Sequence, residues 1–294
     1  MEKLLTSKEL AEAIGSSESS MRRWTNSGAI RTARTVGGHR RIALSEAIRF
    51  VRESGMTVVR PDLLGLPETP STQSGEPLGG RSLAQQMYTA LHSGDALAAK
   101  GCAVALYLGG MSVAGICDGA IRLAMERIGE LWENDVRGIL VEHRATSICI
   151  GVLGVLRQMI AAPAANAPLA LGGAPEGDLY LLPSTMVSVV LAEAGCREMN
   201  FGPQTPLELL ATAARENQAN MVWLSLTAAG DRAKLQRSVK ELGEELLPLN
   251  AKLLVGGTRV EGLGIRCAGN VHVIKTLTEL AAFARGVASH KETA

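Results

Sequence analysis

The sequence predicts a multidomain protein with three folded parts: a winged helix-turn-helix, a four-helix bundle and a doubly wound α/β domain. The arginine-rich N-terminal segment combines short helical patterns with two short strand patterns. Residues 81–162 contain no proline and are compatible with helix throughout. After Pro163, short apolar runs alternate with helical patterns, which is typical of a parallel sheet covered by helices. We place the domains at 1–60, 81–165 and 166–294, with a linker at 61–80.

The composition is that of an ordinary globular protein. Hydrophobic residues make up 46% of the 294 residues and charged residues 20%, which excludes a disordered chain. The longest uncharged stretches, 101–117 and 158–175, are too short and too rich in Gly or Pro to span a membrane. The segment after Met1 resembles neither a signal nor a transit peptide. We therefore expect a cytoplasmic protein without a transmembrane segment.

The five cysteines form an odd set without CxxC spacing. That usage argues against structural zinc, a dithiol redox motif and a disulfide framework. We expect these cysteines to be reduced and mostly buried.

The net charge of +1 conceals an asymmetry. Residues 1–60 contain eleven Lys and Arg against six Glu, so this segment carries +5 and the remainder −4. Six of these arginines lie between Ser19 and Ser45, where there is no acidic residue. Charge alone fits either a solvated basic face or a surface that contacts phosphate.

Capping signals predict the first two helices. Thr6 and Glu9 have the spacing of a capping box that opens a short helix. Ser16 or Ser17 can cap a second helix, which Gly28 ends. Two helices joined by so tight a turn fit the helix-turn-helix plan.

A wing and a third helix follow. The runs 30–34 and 40–42 predict two short strands around a glycine turn at 36–39. Ser45 is expected to cap the third helix. Trp24 is expected in the core between the helices, and His39 is expected to make a backbone or phosphate contact and not to bind metal.

Met21-Arg22-Arg23-Trp24, followed by Arg34-Thr35-Val36-Gly37-Gly38-His39-Arg40-Arg41, resembles the winged helix of MerR-type transcription regulators. The resemblance covers about the first 60 residues. It implies a helix in the major groove of an operator duplex and wing arginines on the phosphate backbone. The candidate DNA-binding residues are Arg22, Arg23, Arg34, Thr35, Gly37, Gly38, His39, Arg40 and Arg41.

Residues 61–80 are rich in Pro, Gly, Ser and Thr and predict a flexible tether. Many MerR-type proteins have a long dimerisation helix at this place. We therefore expect a homo-oligomer, a dimer or tetramer, that assembles through the domains after the linker.

Within 81–165, breaks near Gly94, Gly109 and residues 134–138 divide the segment into four helices. The short connections bring Trp132 near Glu142 and His143, where the three side chains form either a core corner or the ceiling of a flat ligand pocket. Their spacing resembles the helical cap of cobalamin-binding modules, in particular those of light-sensing, cobalamin-dependent MerR-type repressors of carotenoid genes.

Five apolar runs predict the strands of the third domain: 169–171, 198–201, 221–226, 252–255 and 271–274. Capping boxes at Thr205–Glu208 and Thr276–Glu279 predict two of its helices. Neither a dinucleotide fingerprint nor a P-loop follows the first strand.

The segments 176–178, 202–206, 225–227 and 256–257 resemble those of the Rossmann-like, flavodoxin-like cobalamin-binding domain. In that family small residues leave a slot in which the nucleotide tail lies against the sheet. A tight turn at Gly256-Gly257 and a satisfied hydroxyl at Ser225 are the purely structural alternatives. The candidate cofactor-binding residues are Trp132, Glu142, His143, Tyr180, Ser225, Thr227, Gly256 and Gly257.

One departure from the family concerns the cobalt ligand. Tyr180 and Pro183 stand where the family has a cobalt-ligating His and, three residues on, a Gly; Glu133 replaces a second His of the cap. Tyrosinate is a haem-iron ligand and a poor substitute for imidazole at cobalt. The expected cofactor is therefore cobalamin (adenosylcobalamin) or another tetrapyrrole, haem or biliverdin, with His143 and Tyr180 as candidate metal ligands.

These features predict a DNA-binding transcription regulator, a repressor, controlled by a tetrapyrrole-binding sensor and responsive to light through cobalamin. The alternatives are a haem- or bilin-binding sensor, a cofactor-free sensor domain, and an enzyme or carrier related to corrinoid methyltransferases. The appended winged helix and the missing cobalt-ligating His argue against the enzyme.

Overall fold

The computed structural model describes residues 2–35, 38–70, 80–133, 136–228, 230–265 and 269–292. The chain forms two compact units, 1–161 and 162–294. The predicted winged helix and helical bundle thus belong to one compact unit.

The first part of unit 1 is a three-helix domain with a small sheet. Its elements are β1 (Leu4–Leu5), α1 (Ser7–Ala13), α2 (Glu18–Asn26), β2 (Ala33–Arg34), β3 (Arg40–Ala43) and α3 (Leu44–Ser54). The antiparallel order β1-β3-β2 confirms the wing strands and adds β1, which the sequence did not predict. Thr6 and Glu9 form the predicted capping box, and Ser17 caps α2. The ring of Trp24 lies 5.0 Å from that of Phe50.

The predicted cap of α3 is wrong. The helix begins at Leu44 with Ala43 in the cap position, and no side chain caps it. Strand β3 runs directly into the helix, so Ser45 already lies in the first turn. There its backbone N and Oγ donate to Oε1 of Glu2, at 3.0 and 2.5 Å.

Part of the segment predicted as a linker is folded. Pro61 opens a short helix, α4 (Pro61–Leu64), as proline does at a first helical position. Leu64 and Leu66 are buried, and Nζ of Lys3 donates to the carbonyl of Leu63 at 3.0 Å. These leucines therefore belong to the core of unit 1, and residues 71–79 lie outside the described residues.

The second part of unit 1 is the predicted bundle. Its helices are α5 (Gly80–Ser93), α6 (Ala96–Leu108), α7 (Val113–Ile116) continued by a π-helical turn (Cys117–Ile121) and α8 (Arg122–Gly129), and α9 (Gly138–Met159). A 3₁₀ turn at Glu130–Glu133 precedes α9. The three elements α7, π turn and α8 together make the third helix of four.

Helix α9 is long and apolar enough to cross a bilayer by length and composition, which the sequence prediction did not allow for. It packs against α5, α6 and α8 and buries residues including Ala145, Ile148, Cys149, Val152, Leu153 and Leu156. The core helix of a bundle meets the same criteria, and α9 occupies that place here.

Helix α3 docks on the bundle, where it contacts α6 and α9. The Arg52 guanidinium lies 3.8 Å from the centroid of the Tyr107 ring. It also donates to the carbonyls of Tyr107 and Met111, at 2.5 and 3.0 Å, at the C-terminal end of α6. A cation at a helix C-terminus is favourable because the last carbonyls lack partners within the helix.

Unit 2 is a five-stranded parallel sheet covered on both faces. Its strands are β4 (Leu169–Pro175), β5 (Arg197–Thr205), β6 (Met221–Ser225), β7 (Lys252–Gly256) and β8 (Val271–Ile274), in the order β5-β4-β6-β7-β8. Its helices are α10 (Leu181–Glu193), α11 (Leu207–Asn217), α12 (Arg232–Leu246), α13 (Val260–Leu263) and α14 (Leu277–Glu292), with a 3₁₀ turn at Leu247–Leu249. All five predicted strands and the doubly wound fold are confirmed.

The two faces of the sheet differ in character. On one face, large aliphatic residues such as Leu171, Val222 and Leu253 pack against α11 and α12. The other face contacts α10. The predicted capping box of α11 does not form: Pro206 is the cap residue, and the hydroxyl of Thr205 donates to the carbonyl of Gly202 at 3.1 Å.

Four of the five cysteines are free and buried, as predicted: Cys102, Cys117, Cys149 and Cys196. Burial raises the pKa of the Cys149 thiol to about 12. Cys267 lies outside the described residues.

Candidate functional sites

The exposed face of α2 has the composition of a phosphate- and base-contacting surface. Glu18, Ser19, Arg22, Arg23 and Asn26 line one shallow depression on it, because residues four and eight apart share a helix face. Arg22 and Arg23 are exposed, and within the described part of the chain their guanidinium groups have no hydrogen bond or ion pair. Both guanidinium groups are therefore available to a ligand.

The wing is closed by its own backbone. The N–H of Thr35 donates to the His39 carbonyl at 2.9 Å, and the N–H of Gly38 donates to the Thr35 carbonyl at 2.8 Å. Gly38 has φ +79°, a conformation that favours glycine. Gly37 and Val36 lie outside the described residues. Arg34 is exposed and, as for the arginines of α2, its guanidinium group has no partner in the described part of the chain.

Arg40 is already engaged within the protein. Its Nη1 donates to Asn26 Oδ1 at 2.8 Å and lies 3.4 Å from Thr25 Oγ1, so it ties the wing to the end of α2. Arg41 donates to the Arg40 carbonyl at 3.2 Å. Arg40 thus fixes the wing relative to α2, a structural role that the sequence did not predict.

A buried carboxylate holds two further arginines. Glu46 is 7% exposed; it accepts from the backbone N and Nε of Arg31, at 2.8 and 2.9 Å, and from Nε of Arg49 at 2.9 Å. These hydrogen bonds outweigh the cost of burial and lower the pKa of the Glu46 carboxyl to about 2. Arg31, counted in the basic cluster, is therefore paired. The sequence signal for this pairing was Glu46, the first acidic residue after the arginine-rich run.

The proposed cap residues are only partly described. The turn that contains Trp132 contacts α9, but the Trp132 side chain lies outside the described residues. Glu142 is half-buried and His143 exposed, in the second turn of α9. Among the described residues, no cluster of three or more His, Cys, Asp or Glu side chains could hold a metal ion.

In unit 2, Asp178 joins the loops at the carboxyl edge of the sheet. It is 3% exposed, and its carboxylate accepts from the backbone N–H groups of Tyr180 (3.1 Å), Thr227 (2.6 Å) and Ala228 (2.9 Å). Three amide donors compensate for burying the charge. Asp178 therefore positions Tyr180 and Thr227 side by side, and only the family resemblance pointed to its segment.

Tyr180 is the N-cap residue of α10, and its side chain is 49% exposed. Pro183 follows in the first turn, where a missing N–H costs no helical hydrogen bond. The phenol is thus at the surface of the carboxyl edge, next to the exposed Leu179 and Leu181.

Ser225, Gly256 and Gly257 meet at the same edge. Ser225 is 3% exposed and pairs with Gly256 across β6 and β7. Gly257 has φ +115°, and a Cβ there would collide with the Leu226 carbonyl. Glycine is required at that turn for packing alone, so its presence does not by itself indicate a ligand. Tyr180, Thr227, Ser225, Gly256 and Gly257 all lie at this carboxyl edge of the sheet.

One large residue lies among these small ones. Trp223, two residues before Ser225 and on the same face of β6, is 2% exposed. Its Nε1 donates to Ser184 Oγ at 3.3 Å, and Ser184 donates to Asn200 Oδ1 at 2.7 Å. A Cβ built on Gly172, its partner on β4, would lie 2.6 Å from Cδ2 of the indole. The same Cβ would also collide with the Trp223 carbonyl, so both the backbone approach and the ring require glycine at position 172; the sequence analysis missed both residues.

Comparison with known proteins identifies two domains. Residues 4–54 match the helix-turn-helix domain model HTH_17, and residues 83–157 match the B12 binding domain model B12-binding_2. Both matched segments lie in unit 1.

Two relatives each match about half of the chain. Dimethylamine corrinoid protein 2 of Methanosarcina mazei is 29% identical over 153 residues, which cover 50% of this chain and 70% of that protein. Dimethylamine corrinoid protein 1 of the same organism is 28% identical over 155 residues, 50% of this chain and 69% of that protein. The structure of the Methanosarcina barkeri monomethylamine corrinoid protein aligns with a TM-score of 0.53 and 19% identity, over 71% of this chain and all of that one.

The chain therefore combines a helix-turn-helix DNA-binding domain with a helical and Rossmann-like B12-binding architecture, which confirms the resemblance at the level of domains. The matches refer to corrinoid proteins and give no support to haem or biliverdin.

Proposed function

We propose that this protein is a transcription regulator, a repressor, whose operator affinity is set by a corrinoid-binding sensor. The observation that carries the proposal is the docking of α3 on α6 and α9. Through it, the helix-turn-helix and the B12-binding-type bundle share one compact unit. A change in the bundle then acts directly on the element that supports the recognition helix.

For DNA binding, we propose that Arg22 and Arg23 contact base edges and phosphates from α2. Arg34, Thr35, Gly37, Gly38, His39, Arg40 and Arg41 hold the wing on the phosphate backbone, and Arg40 does so while its Nη1 stays bonded to Asn26. The supporting observation is that the guanidinium groups of Arg22, Arg23 and Arg34 are exposed and have no partner among the described residues.

For the sensor, we propose candidate corrinoid contacts in each unit taken separately: Trp132, Glu142 and His143 in the bundle, and Tyr180, Ser225, Thr227, Gly256 and Gly257 at the carboxyl edge of unit 2. The cofactor named by the matched relatives supports a corrinoid over haem or biliverdin. Tyr180 supplies no imidazole, so His143 is the candidate ligand to cobalt. Light response through adenosylcobalamin and self-association through residues 81–294 belong to the same proposal.

The enzyme alternative is less favoured. The relatives are corrinoid proteins by name, and a helix-turn-helix has no evident role in methyl transfer. We propose a cytoplasmic regulator without catalytic activity of its own.

The DNA-binding arm is tested by selecting duplexes from a random library with the full-length protein and measuring their affinity by fluorescence anisotropy. Arg22→Ala with Arg23→Ala should remove sequence preference, because each lost base contact is worth about 1–3 kcal/mol, or roughly 5- to 150-fold. Arg237→Ala with Lys240→Ala removes the same charge from α12 and is the matched control. Unchanged selectivity in the first variant would contradict the assignment of α2.

The proposed sensor is tested with the same duplex. Operator affinity and light-scattering mass are measured with and without adenosylcobalamin, in darkness and after illumination. We expect the cofactor to change both, and light to reverse the change. An operator affinity that no corrinoid alters would refute the sensor, and a monomeric mass in every condition would refute self-association.

A further inference from the structure

The face of the sheet next to α10 carries three small residues around one large one. Gly172 of β4 is the register partner of Trp223, and Gly256 of β7 is the register partner of Ser225, two residues further along β6, so all four residues lie on this face. Small residues in three adjacent strands leave a groove against the helix above. In this protein the groove is filled by the Trp223 indole, which is 2% exposed.

The indole is fixed in place. Its Nε1 donates to Ser184 of α10, whose hydroxyl donates in turn to Asn200 of β5, so a buried chain of hydrogen bonds ties the ring to two neighbouring elements. Gly172 lies against the ring where any Cβ would collide with it. A ring held by both packing and a satisfied N–H does not swing aside at low cost.

We propose that Trp223 is an internal plug of the nucleotide-tail slot, so that this protein accepts a corrinoid only with its tail outside the sheet. Indole and the dimethylbenzimidazole of cobalamin are both fused six- and five-membered aromatic rings of similar size. The side chain therefore fills a space of the shape that the tail base would need. The proposal rests on the proposed corrinoid sensor and deepens it.

The corrin ring itself retains a surface. Leu179, Tyr180, Leu181 and Phe201 are 71%, 49%, 38% and 43% exposed at the carboxyl edge. Leu179, Tyr180 and Leu181 are consecutive and Leu181 approaches Gly202, so these three exposed residues form an apolar platform at the start of α10. A flat, largely apolar macrocycle fits such a platform face-on. The ligand class is thus a corrinoid recognised by its ring, with cobalamin and tail-less cobinamide bound alike.

The test is absorbance titration of the full-length protein with hydroxocobalamin and with cobinamide. The wild type should bind the two within about threefold of each other. The spectrum of bound cobalamin should be that of the base-on form, in which the benzimidazole still coordinates cobalt. Trp223→Leu and Trp223→Gly should strengthen cobalamin binding at least tenfold, convert its spectrum to base-off and leave cobinamide affinity unchanged.

Two controls separate a slot from general loosening. Trp223→Phe keeps the groove filled and should bind as the wild type does. Leu253→Ala opens a cavity on the opposite face of the sheet and should also give no gain. Circular dichroism tests whether each variant is folded. If Trp223→Gly is unfolded, Trp223→Leu alone is compared with the wild type.

A wild type that binds cobalamin base-off, more than tenfold tighter than cobinamide, would overturn the plug while leaving the sensor intact. Binding of neither corrinoid to the wild type would contradict the proposed sensor. In that case a gain of cobalamin binding in Trp223→Leu would still support the plug, and no gain in either Trp223→Leu or Trp223→Gly would overturn it.

Discussion

Glu46 is expected to be a principal electrostatic support of the helix-turn-helix, and Glu46→Gln measures its contribution. The carboxylate is buried between Arg31 and Arg49, and its pKa falls from 4.5 to about 2. At about 1.4 kcal/mol per pKa unit, this shift corresponds to roughly 3 kcal/mol of stability at pH 7. Because Arg31 is 74% exposed and is partly solvated without its partner, we expect a loss of about 2–3 kcal/mol.

Glu53→Gln is the matched control. Glu53 lies on the same helix and pairs with the same Arg49, but its side chain is 63% exposed. Exposed pairs contribute about 1 kcal/mol or less. Urea unfolding, followed by hydrogen-exchange mass spectrometry on peptides of α3, reads the local free energy of unfolding for both variants.

The pH dependence gives an independent check. The folded pKa lies below the unfolded value, so the stabilisation is complete above about pH 4.5 and is lost as the pH falls towards 2. The difference between wild type and Glu46→Gln should therefore be smaller at pH 3.5 than at pH 7, by about 1 kcal/mol. Equal losses for the two glutamine variants, or a difference independent of pH, would refute the reasoning.

Two further substitutions test the architecture. Gly257→Ala should destabilise unit 2 by about 3 kcal/mol or more, because it combines positive φ with a collision at the Leu226 carbonyl; Gly177→Ala, with positive φ in open space, should cost only about 1 kcal/mol in the same urea titration. Similar losses would contradict the role of the collision. Arg52→Ala should raise hydrogen exchange in α3 and at the end of α6, because it removes the guanidinium from the Tyr107 ring and the helix carbonyls. Arg52→Lys should restore part of the protection, and unchanged exchange in Arg52→Ala would show that Arg52 does not hold the docking.

Local chemistry explains which elements the sequence predicted. The Thr6–Glu9 capping box, the Ser17 cap and the wing turn depend on residues a few positions apart. The five strands of unit 2 are continuous apolar runs because both faces of a parallel sheet are buried. The predictions that failed were the helix caps at Ser45 and Thr205, where the sequence pattern of a cap is present but no side-chain cap forms. In the structure the Ser45 hydroxyl instead bonds Glu2, which only the fold brings close, and the Thr205 hydroxyl bonds the carbonyl of Gly202, three residues earlier.

The sequence by itself determined the types of domain, the positions of the five strands along the chain and the location of the basic surface. Each of these follows from hydrophobic periodicity, helix capping or net charge. Tertiary structure alone decided which arginines remain free. Arg31 and Arg40 belong to the same basic run as Arg22 and Arg23, but Glu46 and Asn26 reach them only in the folded chain. It also decided the state of the slot: Trp223 is one more apolar residue in a strand until its register with Gly172 places the ring across the groove. Such contacts join residues distant in sequence, and no local pattern encodes them.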